Sequence, residues 1–253
     1  MKRNPGCNAG VAHVPISAES LSNSLPWRRV PGHLADLLLP QDCFVCGAPA
    51  RAEALCPACR DELPAQGPSV CPCCALPSPS GALCGECQCS PPDFDATHAL
   101  YRYAFPVDRM VQGLKYHRRL ALARFFAGRL VDGYPPFEAD LLLPMPLHAR
   151  RLAERGFNQA VEIARPLARA WRLPLDVNGV RRVRDLPAQA GLSRAARTAN
   201  LRKAFACRRD LAGMRVLVVD DVMTTGASLR ELARVLKAHG AARVENLVVA
   251  RTP

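Results

Sequence analysis

Apolar positions along the chain alternate between short continuous runs and stretches of helical period, the pattern of strands and helices in turn. Val216, Leu217, Val218 and Val219 form an unbroken β-branched and aliphatic run, as in a central strand of a parallel sheet covered on both faces. Ala139 to Leu143 form a second such run, and Leu100–Phe105 and Val244–Ala250 two more. Helical periodicity fills about 107–116, 119–132, 158–172 and 227–239, and a further strand is expected near 177–183. The prediction is an α/β fold: an open parallel sheet of roughly five strands with helices on both faces.

The amino-terminal third does not share this pattern. Residues 1–30 have few periodic apolar positions and many Ser, Pro and Gly, and are expected to be disordered. Leu34, Leu37 and Leu38 suggest a short amphipathic helix between Pro31 and Pro40. Beyond it, Cys43, Cys46, Cys56 and Cys59 have the spacing C-x2-C-x9-C-x2-C, and Cys71, Cys74, Cys84 and Cys87 repeat it 28 residues later. Pro49 recurs as Pro77, and Ala54–Leu55 as Ala82–Leu83, so the segment is an internal duplication. Two CxxC knuckles make a closed tetrahedral thiolate cage, which points to two structural zinc sites. The rival is a disulfide framework, but the first 40 residues hold no apolar run of about 7–15 residues before a small-residue cleavage site. A cytoplasmic, metal-bound form is therefore expected, and no segment approaches the roughly 20 apolar residues of a membrane span. Cys73, inside CPCC, is an alternative ligand, and the knuckles can pair sequentially or in a crossed manner; equal internal spacing favours sequential pairing. The domains expected are 31–90 for the cysteine modules, with a linker over 88–98, and 91–253 for the sheet.

Charge separates the two parts. Residues 1–90 hold 6 basic and 7 acidic side chains, whereas 91–253 hold 28 and 15, so the formal +12 belongs to the α/β part. Such an excess suits a polyanionic small molecule or a nucleic-acid backbone. With 6% aromatic residues and no aromatic–basic interleaving, a base-stacking platform is not indicated.

The candidate chemistry lies at the end of the Val-rich run, in RVLVVDDVMTTGAS (215–228). Asp220 and Asp221 are expected where the strand leaves the sheet, the edge at which open α/β sheets bind ligands. Thr224, Thr225, Gly226 and Ser228 then offer hydroxyls and backbone amides at a helix start, where free N–H groups and the helix dipole favour an anion. The competing reading is an ordinary turn with acids capping a helix; strand, double acid and TTG loop together favour a sugar-phosphate site. At these residues the chain resembles the type I phosphoribosyltransferases. The resemblance implies 5-phosphoribosyl 1-pyrophosphate as substrate, with magnesium. Its ribose hydroxyls would lie on Asp220 and Asp221 and its 5-phosphate in the loop of Val222, Thr224, Thr225, Gly226, Ala227 and Ser228.

A second run, PMPLHARRLAERGFNQA, follows the strand Ala139–Leu143 and is similar to the signature of the ComF family, which includes the competence protein and its relatives. The likeness extends to Gln189, Leu192, Arg197 and Asn200 and to cysteine knuckles ahead of the transferase domain. It implies that Met145, Pro146 and Leu147, with Arg150, Arg151 and Arg155, bind pyrophosphate, often through a non-proline cis peptide. Bidentate guanidinium groups suit that anion. Residues 181–205 form a segment expected, from related enzymes, to close over the reacting centre, with a short helix from Ser193 to about Ala199; Arg181, Arg182 and Arg184 are candidates to reach the diphosphate on closure, the alternative being a solvated charge run. The catalytic set implied is Asp220, Asp221, Arg150 and Arg151, acting by leaving-group neutralisation. Purine-salvage relatives have an acidic base where Thr224 stands, so a 6-oxopurine acceptor is disfavoured. Lys115 (QGLKYHRR) is read as a surface lysine, although ComF proteins commonly have a lysine in this context. The alternative function is a non-catalytic accessory or regulator that binds phosphoribosyl ligands or single-stranded DNA for the competence machinery. The weakest reading makes the cysteine modules a nucleic-acid binder, against their near-neutral charge.

Overall fold

The computed structural model describes residues 41–51, 53–185 and 203–253. The amino-terminal segment, the helix expected at 31–40 and the helix expected at Ser193–Ala199 lie outside them. Four strands form the central sheet: β3 (Ala96–Arg102), β4 (Leu141–Pro144), β7 (Arg215–Met223) and β8 (Arg243–Arg251), in the order β3-β8-β7-β4 and all parallel. Two short strands, β1 (Gln41–Asp42) and β2 (Pro49–Arg51), pair in the first cysteine module.

Two expectations are corrected. The strand near 177–183 is β5 (Val180–Arg182), and it leaves the sheet to pair antiparallel with β6 (Phe205–Cys207) as a separate ribbon. Three residues with one buried side chain cannot fill a central position; the chain meets β4 only upstream of them, where Leu142 N donates to the Pro174 carbonyl (2.8 Å) and Asp176 N to the Leu142 carbonyl (3.0 Å), a bridge centred on Leu175. The strand of the expected linker also starts earlier, because Thr97 and Ala99 alternate inward with Tyr101.

Alternation along β7 divides the interior. Val216 and Val218 join Leu141 and Leu143 against Leu229, Leu232 and Leu236 of α7 (Ala227–Ala238). Leu217 and Val219 join Leu142, Leu247 and Val249 against α3 (Val107–His117), α4 (Ala121–Gly133) and α6 (Gln159–Trp171), through Met110, Leu114, Phe126, Ile163 and Leu167. The sheet is thus covered on both faces, as its aliphatic strands require.

The cysteine modules are mirrored in detail. In each, an amide loops back onto the first knuckle: Gly47 N donates to the Cys43 carbonyl at 2.9 Å, and Ala75 N to the Cys71 carbonyl at 2.8 Å. Both turn residues have positive φ, 74° and 55°. Cys56 caps α1 (Pro57–Asp61) and Cys84 caps α2 (Gly85–Cys89). The segment joining the modules runs beside the free edge of β3, where Arg102 N donates to the Pro64 carbonyl (2.8 Å) and Gln66 N to the Leu100 carbonyl (3.0 Å). That covers an edge that would otherwise offer unpaired backbone groups.

Candidate functional site

The two acids lie inside β7 rather than after it. Asp220 pairs with Val248 and the strand runs on to Met223, whereas β4 ends at Pro144 opposite Val219. From Asp220 onward β7 therefore has a strand partner on one side only, leaving a gap beyond the end of β4. The chain past β4 stays close: Met145 N donates to the Val219 carbonyl at 2.8 Å.

Lys115, near the end of α3, reaches across to β7. Its Nζ stands 2.6 Å from Oδ2 of the buried Asp221, so the reading of Lys115 as a surface residue is overturned. At that distance the ammonium and the carboxylate make a close ion pair. Burial works against the Lys115 charge, but the Asp221 carboxylate outweighs it and holds the lysine above its ordinary value. Burial and the adjacent Asp221 push the Asp220 carboxyl well above the usual carboxylate range.

The loop after β7 is built for close approach. Gly226 has φ 75° and begins α7; a Cβ there would meet Met223 Cε at 2.5 Å. Thr225 Oγ1 accepts from Ala227 N at 3.4 Å, and Thr224 is exposed.

The arginines approach from the other side. His148 begins α5 (Ala149–Arg155), its Nδ1 accepting from Arg150 N at 3.3 Å. Asp185, at the end of the described β5 segment, gathers Arg150 (3.1 Å), Arg151 (3.7 Å) and His148 (3.9 Å). Burial and the like charge of Arg151 lower Arg182 below the ordinary arginine value, while Asp220 and Asp185 act in the opposite sense. Arg182 therefore stands electrically between the acids of β7 and the arginines of α5. Arg155 points elsewhere, over the Tyr116 ring at 5.5 Å and onto Gln159. Arg184 is exposed. Met145, Pro146 and Leu147 form the turn above β4, fixed by Asn158 Nδ2, which donates to the Met145 carbonyl at 3.0 Å. The expected cis bond is not in this turn; among the described residues the cis bond is Phe105–Pro106.

Both cysteine sets assemble sequentially, Cys43, Cys46, Cys56 and Cys59 in one and Cys71, Cys74, Cys84 and Cys87 in the other, with sulfurs within 4.8 Å of one another. Sulfur separations of 3.7 Å (Cys46–Cys56) and 3.6 Å (Cys74–Cys84) are too long for disulfides. They match the edges of a tetrahedron with bonds of about 2.3 Å, the zinc–thiolate length. Against the penalty of burial, amides of Cys46, Cys56 and Val45 lower Cys43 to about 6, and those of Cys84, Cys74 and Cys73 lower Cys71 to about 7. One thiol of each set is thus held towards the thiolate, while without a metal its neighbours are pushed the other way, Cys59 chiefly by its hydrogen bond with Cys46, and Cys74 (to about 11) and Cys87 chiefly by burial. Cys73 stays outside the second set, its Sγ 3.9 Å from the Phe94 carbonyl.

Residues 34–88 match the model of the double zinc ribbon domain and residues 152–253 that of the phosphoribosyl transferase domain. The chain is 33% identical over 220 residues to the DNA utilization protein YhgH of Salmonella typhi, covering 83% of this chain and 90% of that protein. It is 30% identical to competence protein F of Haemophilus influenzae (66% and 78% covered) and 26% identical to competence protein ComFC of Bacillus subtilis (79% and 85%). The chain belongs to the ComF family. Among solved structures it aligns with a glutamine phosphoribosylpyrophosphate amidotransferase of Bacillus subtilis at a TM-score of 0.35 and 23% identity, over 50% of this chain and 26% of that one.

Within this ComF protein the structure gives a place to residues that the sequence left without a role in the site. Lys115 and Asp185 are the counter-charges of the two halves of the site, and Asn158 and His148 hold its turns. Asn158 was present in the GFNQA run but without an assigned task. No helix among the described residues is long and apolar enough to cross a membrane.

Proposed function

We propose that the protein binds 5-phosphoribosyl 1-pyrophosphate with magnesium at the gap beyond β4 and transfers its phosphoribosyl group to an acceptor. The observation that carries this reading is the meeting of the acid pair of β7, with Asp221 buried and Asp220 half-buried, with a glycine-initiated loop and with an arginine of the β5 ribbon that senses the Asp220 charge. Asp220 and Asp221 take the ribose 2- and 3-hydroxyls. Amides and hydroxyls of Thr224, Thr225, Ala227 and Ser228 take the 5-phosphate, at the helix start opened by Gly226. Val222 shapes the wall between them. Arg150, Arg151 and Arg184, with Arg182, face the diphosphate, and Arg155 joins only if it leaves Tyr116.

The residues present fit a hard cation. Asp221 is already neutralised by Lys115, and Asp220 is the carboxylate left to offer an oxygen, alongside the ligand's own phosphates. Magnesium, when bound, neutralises charge on the departing diphosphate. In the transfer the bond between ribose C1 and the diphosphate oxygen breaks, its electron pair leaving with pyrophosphate. The acceptor lone pair forms the new bond to C1, and its proton passes to water. The protein's part is positioning, exclusion of water and stabilisation of the leaving group by guanidinium charge. Reduced thiols suited to zinc support a cytoplasmic setting for this activity. Relatives are named for competence and DNA utilization, which supports including DNA ends among the acceptors to test.

The excess of 28 basic over 15 acidic side chains in 91–253 favours one other reading, an accessory that binds single-stranded DNA without turnover. The test is incubation with magnesium and 5-phosphoribosyl 1-pyrophosphate, measuring thermal protection and pyrophosphate release while nucleobases, amines and DNA ends are screened. Protection with release supports the transferase. Protection without release leaves the accessory reading. Absence of protection at saturating ligand overturns the proposal.

A further inference from the structure

Arg251 ends β8 and is 4% exposed. Its Nε donates to the Cys74 carbonyl at 2.9 Å, and its Nη1 to the Met223 carbonyl at 3.2 Å and to the carbonyls of Thr224 and Thr252. Cys74 belongs to the second cysteine set. Met223 and Thr224 are the last residue of β7 and the first of the loop. One buried guanidinium thus joins the backbone of a metal knuckle to the entrance of the phosphate loop. Burying a guanidinium is costly, and the planar fork suits several carbonyls at fixed angles. A second strut runs parallel. Arg230, one turn into α7, reaches the carbonyls of Ser90 and Pro91 at 3.4 Å, just past α2.

From this geometry we propose that Arg251 is a positioning residue for the phosphate loop, through which occupancy of the second zinc cage sets the loop's shape. The inference rests on the reading of 224–228 as the 5-phosphate loop for its consequence, but not for the coupling itself. A filled cage fixes the Cys74 carbonyl, Arg251 carries that position to the Met223 and Thr224 carbonyls, and the amides that follow are held for an anion. Because coupling between sites is reciprocal, phosphate ligand in the loop holds zinc in the cage by the same factor.

The test uses the full, zinc-loaded chain and reads hydrogen exchange at the amides of 224–228. Cys84→Ser, which empties the second cage, is expected to speed exchange there at least fivefold, with little change in the strand 216–219. Arg251→Gln, with both zinc ions retained, is expected to do the same. Arg251→Lys, a point charge without the fork, recovers only part. Saturating magnesium and 5-phosphoribosyl 1-pyrophosphate should slow zinc loss to a chelating dye at least fivefold in the native chain and not in Arg251→Gln. Unchanged loop exchange in Arg251→Gln at full zinc content overturns the coupling, even if Cys84→Ser fails to fold. Faster loop exchange in a protein that shows no response to the sugar phosphate upholds the coupling and defeats the proposed ligand instead.

Discussion

Lys115 Nζ lies 2.6 Å from Asp221 Oδ2, so the acid pair of β7 carries its own counter-charge from α3. The same helix is pressed by the first cysteine module. A Cβ at Gly113 would meet the Phe44 ring at 2.8 Å, so only glycine lets that ring settle against α3 two residues before the lysine. The module thereby helps fix the height of Lys115 over the acids. Removing the lysine leaves Asp221 buried and unpaired, a loss that runs to about 3 kcal/mol for a pair of this burial. Lys115→Met should lower the unfolding free energy by that amount, read as a fall in the urea midpoint at unchanged m-value. Lys115→Met combined with Asp221→Asn should restore most of it. If the single variant is as stable as the native chain, the pair contributes nothing to the fold.

Asp220 predicts a pH dependence of definite sign. Its carboxyl is raised by burial and by Asp221. A group raised in the folded state stabilises fully below its unfolded value, about 4 for aspartate, and that stability is lost as pH rises through the folded value. Ligand-free protein should therefore melt at progressively lower temperature as pH rises from about 4, and Asp220→Asn should flatten the slope. Equal slopes in the two proteins would place the proton elsewhere. A cation or diol at Asp220 replaces that proton, so sugar-phosphate binding should tighten over the same range.

Much of this was legible in the chain because the decisive signals are local. Four consecutive aliphatics at 216–219 require a strand covered on both faces, and the 28-residue cysteine repeat requires two like cages. What was not legible depends on distance or on small margins. Lys115 ends a helix with the same polar surroundings as an exposed lysine, and only the packing of α3 beside β7 turns it inward. The end of β7 could not be read from hydropathy, since Asp220 and Asp221 interrupt the apolar run while the ladder to Val248 and Ala250 continues. Val180–Arg182 has strand character, but its partner, Phe205–Cys207, lies more than twenty residues later, so its exit from the sheet had no local mark.

Gly226 offers a test of the loop apart from the acids. Its φ of 75° is a conformation L-residues adopt at a cost of about 1 kcal/mol, and a Cβ there displaces Met223 Cε. The methionine end is flexible and gives way. Gly226→Ala should therefore cost little more than about 1 kcal/mol in unfolding, yet weaken magnesium-dependent binding of 5-phosphoribosyl 1-pyrophosphate by about tenfold or more, because the loop amides shift. Calorimetric titration beside chemical denaturation separates the two effects. Unimpaired binding would remove the loop from the ligand site.

Metal content distinguishes the sequential cages from crossed ones. The native chain should hold two zinc ions by elemental analysis. Cys46 and Cys59 belong to one cage as the sulfurs are arranged. Cys46→Ser with Cys59→Ser should therefore leave one zinc ion, still bound by Cys71, Cys74, Cys84 and Cys87. Were the first and third knuckles to share a metal, the same two substitutions would damage both cages and release both ions. Serine at these positions keeps the size and removes the soft thiolate that zinc requires, so the count reads ligand identity rather than packing.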